Sequence, residues 1–176
     1  MCTREILVAA GLFCLFGAGG CAQEAPSLGA PVDVEALAGL DFTVMPDGEG
    51  LPEGRGDAVA GAEVYRQQCL ACHGESGTGG ANDELVGGQG SLATANPKKT
   101  IGSYWPYAPT LFDYIRRAMP YPAPGTLSND ELYAITAYLL YLNDIIDRDT
   151  VIDKDSLPAV AMPNRNGFDR AYPSED

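Results

Sequence analysis

Cys69-Leu70-Ala71-Cys72-His73 sets two thiols three residues apart and an imidazole beside the second. That spacing suits a planar macrocycle with two vinyl groups on one edge. Each thiol can add across one vinyl, while the adjacent imidazole reaches a central iron from one face. The pattern is the attachment signature of a c-type haem. His73 is the single histidine of the chain, so nothing else can supply a second imidazole, and one covalently attached haem c is the expected cofactor. Two other chemistries use C-x-x-C. A structural zinc site needs four Cys or His ligands. Of the five cysteines, Cys2, Cys14 and Cys21 fall in the N-terminal leader, which leaves Cys69, Cys72 and His73. A thioredoxin-like dithiol would follow a strand among alternating strands and helices, and no such alternation is visible.

With His73 on one face of the iron, the opposite ligand is open to Met, Lys, Asn, the amino terminus or water. Four methionines exist, and Met1 leaves with the leader. Met45, Met119 and Met162 each precede a proline, so that dipeptide does not discriminate. Position favours Met119, which closes one expected helix and opens the loop Pro120 to Gly125 that the next helix pins. Met45 and Met162 lie in arms with little periodicity, where ordering a ligand costs more chain entropy. Core filling competes with ligation at any methionine. Thioether ligation raises the potential, so a positive-potential carrier is expected. Tyr104 and Trp105, with Tyr107 beyond Pro106, are candidates to cover the macrocycle edge and donate to a propionate; a loop packed on aromatics is the alternative. Arg116 and Arg117 could meet a propionate or a partner's carboxylate, although cations near a helix C-terminus are favourable in any case.

The elements that must position these groups are legible in outline. Asp57 is expected to N-cap a helix running from Ala58 to Gln68 into the haem motif, with Gly61, Val64, Tyr65 and Gln68 on one face. Gly61 is costly inside a helix unless another helix crosses closely there. The stretch from His73 to Lys99 is Gly-rich loop, in which glycine lets backbone approach a flat ring. A second helix is expected from Thr110, capped by Thr110 and Asp113, to Met119, where Pro120 stops it; Leu111, Ile115 and Ala118 form its inward stripe. Ser128-Asn129-Asp130-Glu131 is a capping box for a third helix ending near Asn143, with Leu132, Ile135, Thr136, Leu139 and Leu142 inward. The class is all-α.

Outside this frame the chain divides into an exported leader, an arm and a tail. Ile6 to Gly19 is apolar, too short for a membrane span and right for a signal-peptide core. Gly19-Gly20-Cys21 resembles a lipoprotein processing site, giving a leader of residues 1–20 and a membrane tether through Cys21; cleavage after Ala22 is the alternative. Export to the periplasm follows either way. Residues 21–56 read as an extended arm with at most one helical turn near Val34 to Leu40. Residues 57–145 form the haem domain, and residues 146–176 an irregular, polar tail. A net charge of −13 argues against nucleic acid as a partner, since phosphate binding needs a basic footprint. It suits docking onto basic patches of a redox partner, or simple solubility.

The order of helix, Cys-x-x-Cys-His, Gly-rich loop, helix, Met and final helix resembles a class I cytochrome c. Pro46-Asp47-Gly48-Glu49-Gly50-Leu51-Pro52, the run Lys99 to Tyr107, Leu111 to Pro120, Tyr133 to Asn143 and Leu157 to Phe168 are similar to the cytochrome c subunits of sulfite and sulfane (Sox-type) dehydrogenases. The resemblance spans roughly Asp41 to Phe168. It implies a class I cytochrome c fold with extended N- and C-terminal arms. It also implies Cys69 and Cys72 as haem attachments, His73 as proximal ligand and Met119 as distal ligand. The implied partners are a molybdenum-cofactor dehydrogenase subunit that oxidises the sulfur compound and a downstream cytochrome or oxidase. One departure stands out: Asp83-Glu84-Leu85-Val86 occupies the place of a proline-containing segment. The hydrogen bond to the proximal imidazole is then expected from some other carbonyl.

Overall fold

The computed structural model describes residues 29–37, 42–169 and 171–172. The leader, its cleavage sites and Cys21 lie outside them. The chain divides into two compact units, Met1–Leu37 and Ala38–Asp176. In the first, α1 (Val34–Leu37) is a single exposed turn, opened by Asp33, whose carboxylate accepts from the Glu35 N–H at 3.1 Å. Among the described residues no helix is long and apolar enough to cross a membrane.

The second unit is mostly helical. Its elements are β1 (Arg55–Gly56), α2 (Ala58–Gln68), α3 (Leu70–His73), α4 (Ala108–Ala118), α5 (Asn129–Leu142), β2 (Ile152–Asp153) and a 3-10 turn over Leu157–Ala159. Asp57 caps α2 as expected, its carboxylate accepting from the Ala60 N–H at 2.8 Å. The capping box of α5 is complete. Ser128 Oγ accepts from the Glu131 N–H, and the Glu131 carboxylate accepts from the Ser128 N–H at 2.8 Å. Two orphan donors of the first turn are thereby satisfied.

Helix α4 differs from expectation at its start. It begins at Ala108 with Pro109 in the first turn, and Tyr107 caps it without a side-chain bond. Thr110 sits inside the helix and donates to the Tyr107 carbonyl at 2.7 Å. Proline's fixed φ suits a first turn and needs no donor there, which moves the boundary ahead of Thr110. Asp113 is drawn elsewhere, accepting from the Val44 N–H at 2.9 Å and pairing with Arg117 at 2.8 Å.

Helix α5 is the hub. Leu132 to Ala137, Leu139 and Leu140 are all buried, more than the single stripe read from the sequence. Helices α2 and α4 and both short strands pack on it, so a helix apolar nearly all round has covering on every side. Gly61 makes the α2 crossing possible. A Cβ there would lie 1.9 Å from the Ala134 carbonyl oxygen and 2.7 Å from Tyr138 Cβ. Tyr65, 1 % exposed, packs its ring 5.3 Å from that of Tyr138 just along the seam.

Residues 42–56 of the arm and residues 146–169 of the tail are woven into this core. β1 and β2 pair antiparallel, with Arg55 opposite Asp153 and Gly56 opposite Ile152. Val44, Ile152, Leu157 and Met162 are buried. Tyr133 donates its hydroxyl to the Pro52 carbonyl at 2.8 Å, and Asn129 donates to the Glu53 carbonyl at 3.0 Å. Among its described residues the tail lacks long regular elements, as expected, but residues 42–56, which it meets, give a few apolar side chains a shared place to bury.

Candidate haem site

Helix α2 delivers the attachment motif. Its last turn hands over at Cys69, whose N–H donates to the Tyr65 carbonyl at 2.9 Å, and the chain enters the single turn of α3. The His73 N–H donates to the Cys69 carbonyl at 3.0 Å. Residues three apart on a helical turn share a face, so Cys69 and Cys72 are presented together. Both thiols are free; Cys69 is partly buried and Cys72 exposed. Burial, with Cys72 beside it, pushes the Cys69 thiol up to about 11. A redox dithiol needs the opposite, a depressed thiolate.

The imidazole is oriented from behind. His73 Nδ1 lies 2.9 Å from the Asp83 carbonyl oxygen. A carbonyl only accepts, so the ring proton sits on Nδ1, and the lone pair of Nε2 is left for a metal. The expected departure takes a definite form here: the proline-free segment itself supplies the carbonyl. Gly74 ends α3 at φ 81, and a Cβ on it would lie 1.9 Å from the Thr78 carbonyl oxygen. Gly80 is as tight, 2.2 Å from the Cys72 carbonyl oxygen. These two glycines let the loop fold back on its own backbone at the motif, which is a different reason from approach to a ring.

The methionines sort by environment. Met119 is the C-cap of α4, its N–H donating to the Ile115 carbonyl at 3.0 Å, and it is partly buried at the edge of the core. Met45 is 47 % exposed and Met162 only 3 % exposed. Met162 sits within the core cluster, so packing occupies its thioether. That replaces loose ordering as the reason to set it aside. Of the three, Met119 presents its thioether from a helix end at the rim of the core.

Tyr104 and Trp105 separate in the structure. Trp105 packs against the core with its ring edge-on to Tyr114 at 5.6 Å. Tyr104 is exposed, meeting Phe168 edge-on at 5.3 Å with the Lys99 ammonium 5.2 Å from its ring centre. Arg116 and Arg117 are engaged by the arm. Their guanidinium groups lie 5.5 and 5.0 Å from the Phe42 ring centre, and Arg116 donates to the Phe42 carbonyl at 3.2 Å.

Three residues at the site carried no functional expectation. Asp83 acts through its carbonyl, which side-chain reading cannot see. Tyr65 donates its hydroxyl to the Gly74 carbonyl at 2.7 Å, and burial pushes its phenol up to about 12, so it stays a neutral donor. Asn143, 3 % exposed, bonds into the loop at Leu85 and Gly87, just beyond Asp83 in sequence. A buried amide at a helix end was the one available signal.

The residues present fit a covalently held haem: paired free thiols on one turn, an imidazole with Nε2 available, and a thioether at a helix end. Comparison with known proteins points to the same kind of cofactor. Residues 56–139 match the family described as cytochrome c oxidase, cbb3-type, subunit III. A thiosulfate dehydrogenase of Stutzerimonas stutzeri is 29 % identical over 115 residues, which is 64 % of this chain but 34 % of that protein. The chain thus spans about a third of that relative's length. A chain of the sulfane dehydrogenase SoxCD from Paracoccus pantotrophus superposes with a TM-score of 0.76 at 41 % identity, covering 86 % of this chain and 73 % of that one. On that coverage the chain belongs to the class I c-type cytochromes of Sox-type sulfane dehydrogenases, a family that carries covalent haem c.

Proposed function

We propose that the chain is a one-haem electron-transfer subunit in which Cys69 and Cys72 hold the porphyrin, with His73 as proximal and Met119 as distal ligand. The haem supplies one-electron redox chemistry when bound. The protein's part is to fix the imidazole tautomer through the Asp83 carbonyl, to offer the Met119 thioether from the end of α4, and to bury the Cys69 edge. The His73 Nδ1 contact at 2.9 Å carries this reading, because it leaves Nε2 free beside two unpaired thiols. The electron donor is a molybdenum-dependent sulfite or sulfane dehydrogenase, supported by the 41 % identity to a chain of SoxCD. The acceptor is a downstream cytochrome or oxidase. The setting is periplasmic, with a membrane tether through Cys21, as the leader's pattern suggests.

A second reading, a tethered periplasmic carrier for another dehydrogenase, draws on the thiosulfate dehydrogenase similarity. Purification under native conditions separates the two: co-purification of a molybdenum-containing subunit supports the first, and a monomeric haem protein the second. Met119→Ala tests the ligand set. The variant should bind carbon monoxide and titrate at a lower potential than the wild type, because loss of the thioether removes its preference for ferrous iron. An unchanged potential would move the distal ligand elsewhere.

A further inference from the structure

The segment that serves the proximal imidazole has no regular structure of its own, so something must hold it. Asp83 lies two residues before Leu85 and four before Gly87. Both of those residues are bonded to one buried side chain. Asn143 Nδ2 donates to the Leu85 carbonyl at 3.1 Å and to the Leu139 carbonyl at 2.9 Å. Asn143 Oδ1 accepts from the Gly87 N–H at 3.1 Å. Its backbone carbonyl accepts from Gln89 Nε2 at 3.3 Å. The amide sits tight against the next strand of loop, since a Cβ on Gly102 would lie 2.3 Å from Asn143 Oδ1. Leu85 is tied further by its N–H to the Gly77 carbonyl at 2.8 Å, and its carbonyl also accepts from the Ile101 N–H at 3.2 Å. Thr100 Oγ1 donates to the Gly87 carbonyl from the other side.

We propose that Asn143 is a positioning residue for the proximal ligand. By clamping Leu85 and Gly87 to the end of α5, it fixes the Asp83 carbonyl on His73 Nδ1 and thereby sets the ferric/ferrous balance. The inference rests on the reading that His73 ligates a haem iron. Asparagine is the side chain the geometry requires, because it donates to a carbonyl and accepts from an N–H at once. Aspartate would lose the donor and leucine both functions. A carbonyl accepting from the far nitrogen of a ligating histidine raises that ligand's basicity and fixes its ring. A more basic imidazole favours ferric iron, so loosening the clamp raises the potential. This clamp does the work of the missing proline, with hydrogen bonds in place of a ring-restricted backbone.

The test uses full-length haem-loaded protein from a host competent for cytochrome maturation, titrated spectroelectrochemically. Asn143→Leu should keep a low-spin spectrum and shift the ferric/ferrous equilibrium about threefold toward ferrous, ~28 mV upward at 59 mV per tenfold. Thr100→Val loosens the same segment at Gly87 and should shift it in the same direction by less. If Asn143→Leu fails to fold, Thr100→Val decides alone. Leu157→Ala weakens the tail's packing without touching the hydrogen bonds around Asn143 and should lower stability while leaving the potential unchanged. An unchanged potential in the folded Asn143→Leu variant overturns the proposal, as does an equal shift in Leu157→Ala. A wild type that matures without low-spin haem removes the ligation reading itself, and with it this proposal, before any variant is read.

Discussion

The crossing of α2 and α5 and the loop from Gly74 to Ser103 lie side by side, yet different forces hold them. At the crossing, contact is apolar and steric. Gly61 admits the Ala134 backbone, and Tyr65 and Tyr138 pack ring on ring beside it. Interiors packed this closely have little room to relax. The loop has few apolar side chains of its own. It is held by a lattice of hydrogen bonds from Asn143, Thr100, Ser103 and Tyr65 to its backbone. Backbone carbonyls can thus be aimed with care in a segment that has no ladder or helix to aim them. The rigid crossing fixes where the thiols stand; the hydrogen-bonded loop fixes how the imidazole behaves.

That contrast can be attacked at three points. The largest effect is expected at the crossing. Gly61→Ala puts a methyl 1.9 Å from the Ala134 carbonyl oxygen, and overpacking of this kind costs about 3 kcal/mol, read as a lower urea midpoint. A variant as stable as the wild type would show that the crossing is not steric. A smaller effect belongs to the link between the two regions. Tyr65→Phe leaves the Gly74 carbonyl without its phenol donor and should cost about 1 kcal/mol, with faster amide exchange confined to the start of the loop. Exchange that rises throughout the helices instead would merge the two regions into one.

The smallest effect is electrostatic and sits at the start of α5. Hydrogen bonds from Ser128 hold the Glu131 carboxyl below its ordinary 4.5. A depressed folded value contributes stability that is present above pH 4.5 and is lost as pH falls through the lower folded value. Stability should therefore decline on acidification through that window, and Glu131→Gln should flatten the decline while keeping part of the capping box. Identical slopes in both proteins would remove Glu131 from the account.

The helical frame was legible because its signals are local. Asp57, Ser128 and Glu131 cap their own helices, and Gly61 announces a close crossing by its cost alone. The α4 boundary shifted because Pro109 suits a first turn better than Thr110 suits a cap. The arm and tail were harder to read. Val44, Ile152 and Leu157 stand in polar, Pro-rich stretches with no period, and each buries only because a segment distant in sequence meets it. Met162 belongs with them, a core residue that its neighbours in sequence do not identify.

By itself the sequence determined the chemistry on offer: two thiols and a lone histidine at the spacing that suits one covalent porphyrin, within a frame of capped, amphipathic helices. Those properties depend on residue type and near neighbours. Tertiary structure decided which carbonyl meets the imidazole, which methionine is consumed by the core and which amide holds the loop. Each of these is a meeting of groups far apart along the chain, several made by backbone atoms that every residue possesses, so no pattern of side chains could have distinguished them.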